Sequence, residues 1–208
     1  MDVYQAIANR KTIRDFSQQE IPAGIIQKVL SAGLQAPSND HLRQWEFILV
    51  QDRVQRELLV SKIRHPKDRK AATAVVNRWG LTIPSQRNVY IEAIPKQSQM
   101  LLDAAALVIP CFHAPGDLLH PDSLSALNSF ASIWCCIENI LIAAAAEGIF
   151  GVTRIPFEPE RKHVRRILKL PDGYEFPCYL ALGYPAENAQ RLEQYPFSVA
   201  EKIHLDRW

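Results

Sequence analysis

The stretch "NRKTIRDF" near the N-terminus places three cations and a hydroxyl within five residues, at Arg10, Lys11, Thr12 and Arg14. A phosphate monoester carries nearly two charges and strong acceptor oxygens, so guanidinium and hydroxyl donors bind it well. In an extended segment Arg10 and Thr12 point to one side, with Arg14 one step further along. The stretch therefore predicts a site for a ligand with a phosphate at one end and a polar ring at the other. A solvated basic helix end is the alternative.

The composition restricts the class of protein. The 208 residues are 48% hydrophobic, which predicts one domain over 1–208. The 24 cations and 22 anions are spread along the chain without a basic stripe, so no nucleic-acid partner is expected. The first residues lack the pattern of a secretory signal, and the most apolar run is broken by Glu147 and Gly148. We therefore expect a cytoplasmic protein without a membrane partner.

Several elements must position the basic stretch. "DVYQAIAN" predicts a short helix that leads into it, and "IPAGIIQKVLSAGL" predicts an amphipathic helix that ends at the turn "QAPSND". "WEFILVQD" and "ALVIPCF" predict strands, the second at an edge or a bulge because it contains Pro110. Residues 53–99 predict irregular helices and loops.

The longest helical pattern is "DSLSALNSFASIWCCIENILIAAAAEG", with Asp122 as the predicted cap and Gly148 as the predicted stop. It is apolar on more than one face, which indicates burial in a large core or against a partner subunit. "FGVTRI" and "FPCYLALGYP" then predict two further strands, separated by the basic helix "EPERKHVRRILKL". This order favours an α+β fold with a sheet flanked by helices.

The common catalytic signatures are missing from the sequence. It contains no GxGxxG, GxxxxGK[ST], GxSxG or HExxH, and its six histidines show no metal-ligand spacing. No metal site is expected. The four cysteines form no CxxC pair, so they predict buried thiols. They are Cys111, Cys135, Cys136 and Cys178.

Four motifs in order make the sequence resemble the nitroreductase family of FMN-dependent oxidoreductases. "RKTIRDF" is similar to the family's R-R-S-[IV]-R-x-[FY], and "APSNDHLRQWEFILV" to its APS-x-x-N-x-QPW-x-F-x-VV element. "AAAAEGIFGVTRI" and "LALGYPAENAQR" resemble the glycine turn after a long helix and the late LGYP strand. Lys11 and Thr12 replace Arg and Ser, and no Pro stands between Gln44 and Trp45. The resemblance spans nearly the whole chain.

The resemblance implies a nitroreductase-like α+β fold with a central mixed or antiparallel sheet, a long buried central helix and an intertwined homodimer. Residues 62–99 are expected to roof the flavin. The implied activity is hydride transfer from NADH or NADPH through FMN to a nitroaromatic, quinone or related small-molecule acceptor, in a ping-pong cycle. A flavin-binding sensor or storage protein without efficient turnover is the alternative.

The resemblance also implies a set of cofactor-binding residues and no catalytic side chain, because FMN carries the chemistry. Arg10 and Thr12 are expected at the phosphate and Arg14 at the pyrimidine edge. Gly151 and Val152 are expected to present backbone groups to flavin N5. The full set is Arg10, Lys11, Thr12, Arg14, Pro37, Ser38, Asn39, Gln44, Gly151, Val152 and Arg191.

The remaining members of this set have both a flavin role and a simpler one. The turn from Pro37 through Ser38 to Asn39 is implied to reach the flavin from the other subunit, but these can be turn residues only. Gln44 is implied to contact the ribityl chain or ring. Arg191 is implied to complete the phosphate site, and a solvated loop cation is its alternative.

Overall fold

A computed structural model describes residues 1–191 and 195–208 of the chain. These residues form two compact units. The sheet unit comprises Met1–Arg64 and Gln97–Gln190, and the helical unit comprises His65–Lys96 and Arg191–Trp208. The first part of the helical unit lies within the 62–99 segment expected to be a roof. The single domain over 1–208 stays a prediction.

The sheet unit is built on five strands. They are β1 (Trp45–Leu49), β2 (Ala106–His113), β3 (Phe150–Arg154), β4 (Tyr174–Glu175) and β5 (Tyr179–Gly183). The order is β1-β2-β5-β3, with β4 also pairing with β2, and each pairing is antiparallel. All of β5 and nearly all of β2 are buried. The predicted α+β fold with an antiparallel sheet is confirmed.

The edge or bulge predicted from Pro110 is wrong. β2 has partners on both sides, and its register with β1 runs one to one through Pro110. β1 pairs with it on one side, while β5 and β4 share the other, at Ala106–Val108 and Phe112–His113. Pro110 falls between these two short pairings. The N–H of His113 donates to the Gln44 carbonyl oxygen beyond β1 (3.0 Å). Because N–H directions alternate along a strand, the nitrogen of residue 110 faces the gap, where no ladder bond is lost.

Over the described residues the chain forms eight α-helices. They are α1 (Val3–Asn9), α2 (Ala23–Gly33), α3 (Arg53–Val60), α4 (Arg69–Arg78), α5 (Pro84–Ala93), α6 (Gln99–Asp103), α7 (Asn128–Ala146) and α8 (Glu158–Leu168). Aspartate caps begin three of them, because the carboxylates of Asp2, Asp52 and Asp68 each accept a backbone N–H three residues on. Helices α4 and α5 belong to the helical unit.

The long helix begins later than its pattern predicts. A 3-10 turn at Leu124–Leu127 precedes α7, so Asp122 is not its cap, whereas Gly148 ends it with φ +75° as predicted. One face of α7, including Ile133, Ile137 and Ile140, is buried against α2 and the sheet. The segment Leu124–Ala146 is long and apolar enough to span a membrane by composition alone, as core helices also are.

The opposite face of α7 is open within one chain. We call it the open stripe, and its exposed members are Ala131, Cys135, Glu138 and Ala146. Tyr4 and Ile7 of α1, which packs on α7, are 82% and 50% exposed. The described residues therefore leave apolar surface uncovered along these two helices.

Helices α2 and α7 approach closely at Gly33. A Cβ there would lie 2.6 Å from Cγ1 of Ile140 and 3.0 Å from Sγ of Cys136. Further along the same contact, Lys28 Nζ lies 2.6 Å from Glu147 Oε1. The position of α2, and of the turn that follows it, is thus set by contact with α7.

Candidate functional site

The basic segment 10–14 runs along the free edge of β3. Thr12 forms a parallel bridge with Gly151, and the Ile13 N–H donates to the Gly151 carbonyl oxygen (3.4 Å). The Ile13 side chain is fully buried. Because side chains alternate in an extended segment, Arg10, Thr12 and Arg14 lie on the side away from the core. The structure therefore brings this part of the candidate site together with the edge of β3.

Gly151 is required by packing alone. A Cβ at this position would lie 2.7 Å from Cδ2 of Leu182 and 3.0 Å from the carbonyl oxygen of Ala181. The neighbouring Val152 is buried, and its side chain belongs to the core. At this edge β3 can therefore offer backbone groups, and the side chains beside them come from segment 10–14.

Arg10 links the end of α1 to the open stripe. It is the C-cap residue of α1, and its N–H donates to the Ala6 carbonyl oxygen (3.0 Å). Its Nε lies 3.2 Å from Oε1 of Glu138. The helix-end role weighed from the sequence is thus present, and the guanidinium also has an anionic neighbour on α7.

The turn 37–40 is held against the start of α7. The Ser38 hydroxyl accepts the Arg43 N–H (3.3 Å) and donates to Asp40 Oδ1 (3.4 Å). The Asn39 N–H donates to the Ser132 hydroxyl (3.3 Å), and its Oδ1 accepts from Asn128 Nδ2 (3.1 Å). These bonds join Ser38 and Asn39 to their own chain, while Pro37 at the start of the turn is exposed.

Ser38, Asn39 and Gln44 line one pocket of about 150 Å³, together with His113, Ser129 and other residues near the start of α7. Pockets that enclose a drug-sized ligand usually have volumes of about 300 to 1,000 Å³. The pocket formed by this chain is therefore smaller than an FMN-sized ligand needs.

The two groups of site residues meet different turns of α7. Segment 10–14 reaches it at Glu138, and the turn reaches it at Asn128 and Ser132. A helix rises 1.5 Å per residue, so these points are separated by about 9 to 15 Å along the axis. Arg191 is exposed and belongs to the helical unit.

Three of the four cysteines are buried, as the sequence predicts. Burial raises the pKa of Cys111 and of Cys136 to about 12, and it also raises the pKa of Cys178. These thiols stay protonated at neutral pH and are poor nucleophiles. The prediction is wrong for Cys135, which lies on the open stripe and is exposed.

Sequence reasoning missed a buried ion pair between the end of β3 and α8. The guanidinium of Arg154 donates to both carboxylate oxygens of Glu160, at 2.5 and 2.8 Å, and both residues are buried. Glu160 also accepts the Phe157 N–H at the start of α8 (3.3 Å). A Glu in the third helical position is the signal that indicates such a contact. The pair holds α8 to the strand that carries Gly151.

The sequence profile described as "Nitroreductase family" matches residues 7–184. An NADH dehydrogenase from Thermus thermophilus is 26% identical over 214 residues, spanning 94% of this chain and 93% of that protein. An iodotyrosine deiodinase from Haliscomenobacter hydrossis is 25% identical over 194 residues, spanning 90% of this chain and 81% of that protein.

The fold has a counterpart among solved structures. The FMN-dependent nitroreductase from Clostridium difficile R20291 superposes with a TM-score of 0.67 at 18% identity, covering 98% of each chain. The profile match extends from α1 to the end of β5 and includes both groups of site residues in the sheet unit. The chain therefore belongs to the nitroreductase family.

Proposed function

We propose that the protein is an FMN-dependent oxidoreductase that transfers hydride from NADH or NADPH to an electrophilic small-molecule acceptor in a ping-pong cycle. The observation that carries the proposal is the bridge between Thr12 and Gly151, which sets a row of cations along a strand edge. One relative is named an NADH dehydrogenase, and one structural neighbour is named FMN-dependent. The acceptor class is nitroaromatics, quinones and related compounds.

The donor set of segment 10–14 fits FMN. Arg10 and Thr12 supply a guanidinium and a hydroxyl for the phosphate, with Lys11 as an additional cation. Arg14 supplies a fixed positive charge for the pyrimidine edge of the ring, where it favours the reduced form. When bound, FMN supplies the hydride-accepting ring, and the residues of this chain bind and orient it.

We propose a cytoplasmic homodimer in which each flavin site uses both chains. Three observations support it: the small pocket at Ser38, the separation of the two residue groups along α7, and the apolar surface left along α1 and the open stripe. Pairing this surface across a two-fold axis would cover it. The turn Pro37–Asn39 of one copy would then reach the flavin held by segment 10–14 of the other.

We propose that residues 62–99 roof the site and contact the acceptor. Within the helical unit, the rings of Trp79 and Tyr90 pack edge to face with centroids 5.3 Å apart, and they are 53% and 40% exposed. Arg87 of the same unit donates to the Leu81 carbonyl oxygen and to the Asn77 side chain. Exposed aromatic rings suit stacking against a planar, electron-poor acceptor.

A spectrum of the purified protein tests the function. Flavin absorbance that bleaches when NADH or NADPH is added without oxygen, and returns when a quinone or nitroaromatic is added, supports the oxidoreductase. Iodotyrosine belongs among the acceptors because one relative is named a deiodinase. Flavin that never bleaches supports the alternative, a flavin sensor or storage protein. Colourless protein that does not take up added FMN contradicts both.

A further inference from the structure

A separate pocket of about 210 Å³ lies in the sheet unit, between α2, the end of β1 and the start of β2. None of its lining residues belongs to the groups proposed to bind FMN. Two exposed amides, Gln27 and Gln51, stand among its lining residues. Its aliphatic wall consists of Ile21, Ile26, Leu30, Leu49, Val50 and Leu107.

Arg56 of α3 is the only charged residue that lines this pocket, all of whose lining residues lie in the described part of the chain. It is only 8% exposed. Its Nε donates to the Val50 carbonyl oxygen (2.8 Å), and its Nη1 donates to the carbonyl oxygens of Ala104 (2.5 Å) and Leu102 (3.4 Å). The guanidinium is therefore held in one orientation by its Nε and Nη1 sides.

The Nη2 of Arg56 makes no hydrogen bond to residues 1–191 or 195–208. No carboxylate in those ranges pairs with this guanidinium, and the charged group acting on it is another cation, Arg53. Burial and Arg53 both lower the pKa of Arg56. Carbonyl oxygens accept from Nε and Nη1, and Nη2 is not among the enclosed polar atoms of the described residues, so it is the donor that a bound anion would reach.

We propose that this pocket binds a small carboxylate with an apolar tail. The carboxylate accepts from Nη2 of Arg56, and the tail lies along the aliphatic wall formed by residues such as Ile26 and Leu107. A charged donor and an aliphatic wall together select against two simpler ligand types. A neutral ligand with the same tail leaves the guanidinium uncompensated, and a short hydrophilic anion leaves the wall uncovered.

Calorimetric titration of the intact protein with octanoate, octanamide and acetate tests the proposal. Octanoate is expected to bind at one site per chain, and octanamide and acetate at least tenfold more weakly. Equal binding of octanoate and octanamide would show that the charge plays no part and would overturn the proposal. Absence of octanoate binding would overturn it too, whether the pocket is closed or covered by a second copy.

Three variants locate the binding. Arg56→Gln removes the cation, and Ala23→Phe fills the pocket from an exposed position at the start of α2 while Arg56 stays intact. Both are expected to weaken octanoate binding at least tenfold. The matched control is Arg53→Gln, because Arg53 also donates to the Leu102 carbonyl oxygen (2.9 Å) but does not line the pocket.

The control should bind octanoate within about threefold of the wild type. If Arg56→Gln does not fold, Ala23→Phe decides alone, and unchanged octanoate affinity in that variant contradicts the proposal. The titration does not use FMN, so its failure leaves the proposed oxidoreductase function untouched.

Discussion

The guanidinium of Arg10 lies 3.2 Å from the carboxylate of Glu138, so the end of α1 is joined to the open stripe of α7. The two side chains are 26% and 52% exposed. Exposed ion pairs of this kind contribute roughly 0 to 1 kcal/mol to stability. The fold therefore depends little on this contact, and Arg10 can exchange it for a phosphate at small cost.

Arg10→Ala is expected to weaken FMN binding by about tenfold to a hundredfold, because a hydrogen bond to a charged group contributes roughly 1.5 to 3 kcal/mol. The melting temperature should barely change. Glu138→Gln is the matched control, since it breaks the same ion pair and keeps the guanidinium, so FMN affinity should stay the same or rise. Fluorescence titration of each apoprotein with FMN measures the affinity of both variants. Unchanged affinity in Arg10→Ala would return Arg10 to a helix-end role.

Arg14→Ala is expected to weaken the binding of reduced FMN more than the binding of oxidised FMN, and this difference lowers the flavin reduction potential. The reduced ring carries negative charge near Arg14, so the reduced form loses more from the substitution. For each tenfold by which the loss of affinity for reduced FMN exceeds the loss for oxidised FMN, the two-electron reduction potential falls by about 30 mV.

The potential can be measured by dye equilibration, with Arg14→Lys as the control that retains the charge. If both redox forms bind Arg14→Ala as well as they bind the wild type, the assignment to the pyrimidine edge is wrong.

A charge introduced on the open stripe tests the proposed dimer. Ile137 is unsuitable for such a test, because it is buried in the core of its own chain and a charge there would disrupt folding. Ala131→Arg places the charge on exposed surface instead. Light scattering should give twice the 23.6 kDa chain mass for the wild type and a lower mass, with lost FMN, for Ala131→Arg. Ala74→Arg, an exposed alanine on α4, is the control that should remain dimeric.

Cys135 supplies a second readout for the same interface. It lies on the open stripe, so a thiol reagent should reach it slowly in the dimer and quickly in Ala131→Arg. The other three cysteines should remain unreactive in both proteins because they are buried. Rapid modification of Cys135 in wild-type protein that retains FMN would argue against an interface on this face.

Glu160→Gln is expected to destabilise the protein by about 3 to 5 kcal/mol, because it leaves the buried Arg154 without its anion. Glu158→Gln is the matched control two residues away, since its pair with Arg161 is partly exposed and should contribute less than about 1 kcal/mol. Urea unfolding of both variants gives the comparison. Equal losses of stability in the two variants would contradict the expectation that the buried Arg154–Glu160 pair contributes more than a partly exposed pair.

Local sequence patterns predicted the fold where local forces decide it. The helices ending before the basic stretch and before "QAPSND", and the strands β1, β2, β3 and β5, all stand where their periodicity placed them. Asp122 failed as a cap because the chain turns through Leu124–Leu127 before α7 begins, and nothing in a helical period signals that turn. The prediction from Pro110 was wrong because the strands that flank β2 come from distant parts of the chain.

The candidate site was predicted only in part for the same reason. Spacing within segment 10–14 was visible in the sequence, but its pairing with Gly151 joins residues far apart in the chain. The exposure of Cys135 and the free Nη2 of Arg56 depend on which side of a helix meets a neighbour. These features are set by the tertiary packing of the helices and are not visible in the local sequence.

The contact at Gly33 determines how far the Pro37–Asn39 turn can travel. Gly33 meets α7 near Ile140, and Asn39 meets it at Asn128 and Ser132, so these attachment points lie about 12 to 18 Å apart along the helix. The six residues from 34 to 39 have a contour length of about 20 Å when fully extended. The turn is thus a tether with only a few ångströms of slack, and deleting three residues from it would pull Asn39 off α7 altogether.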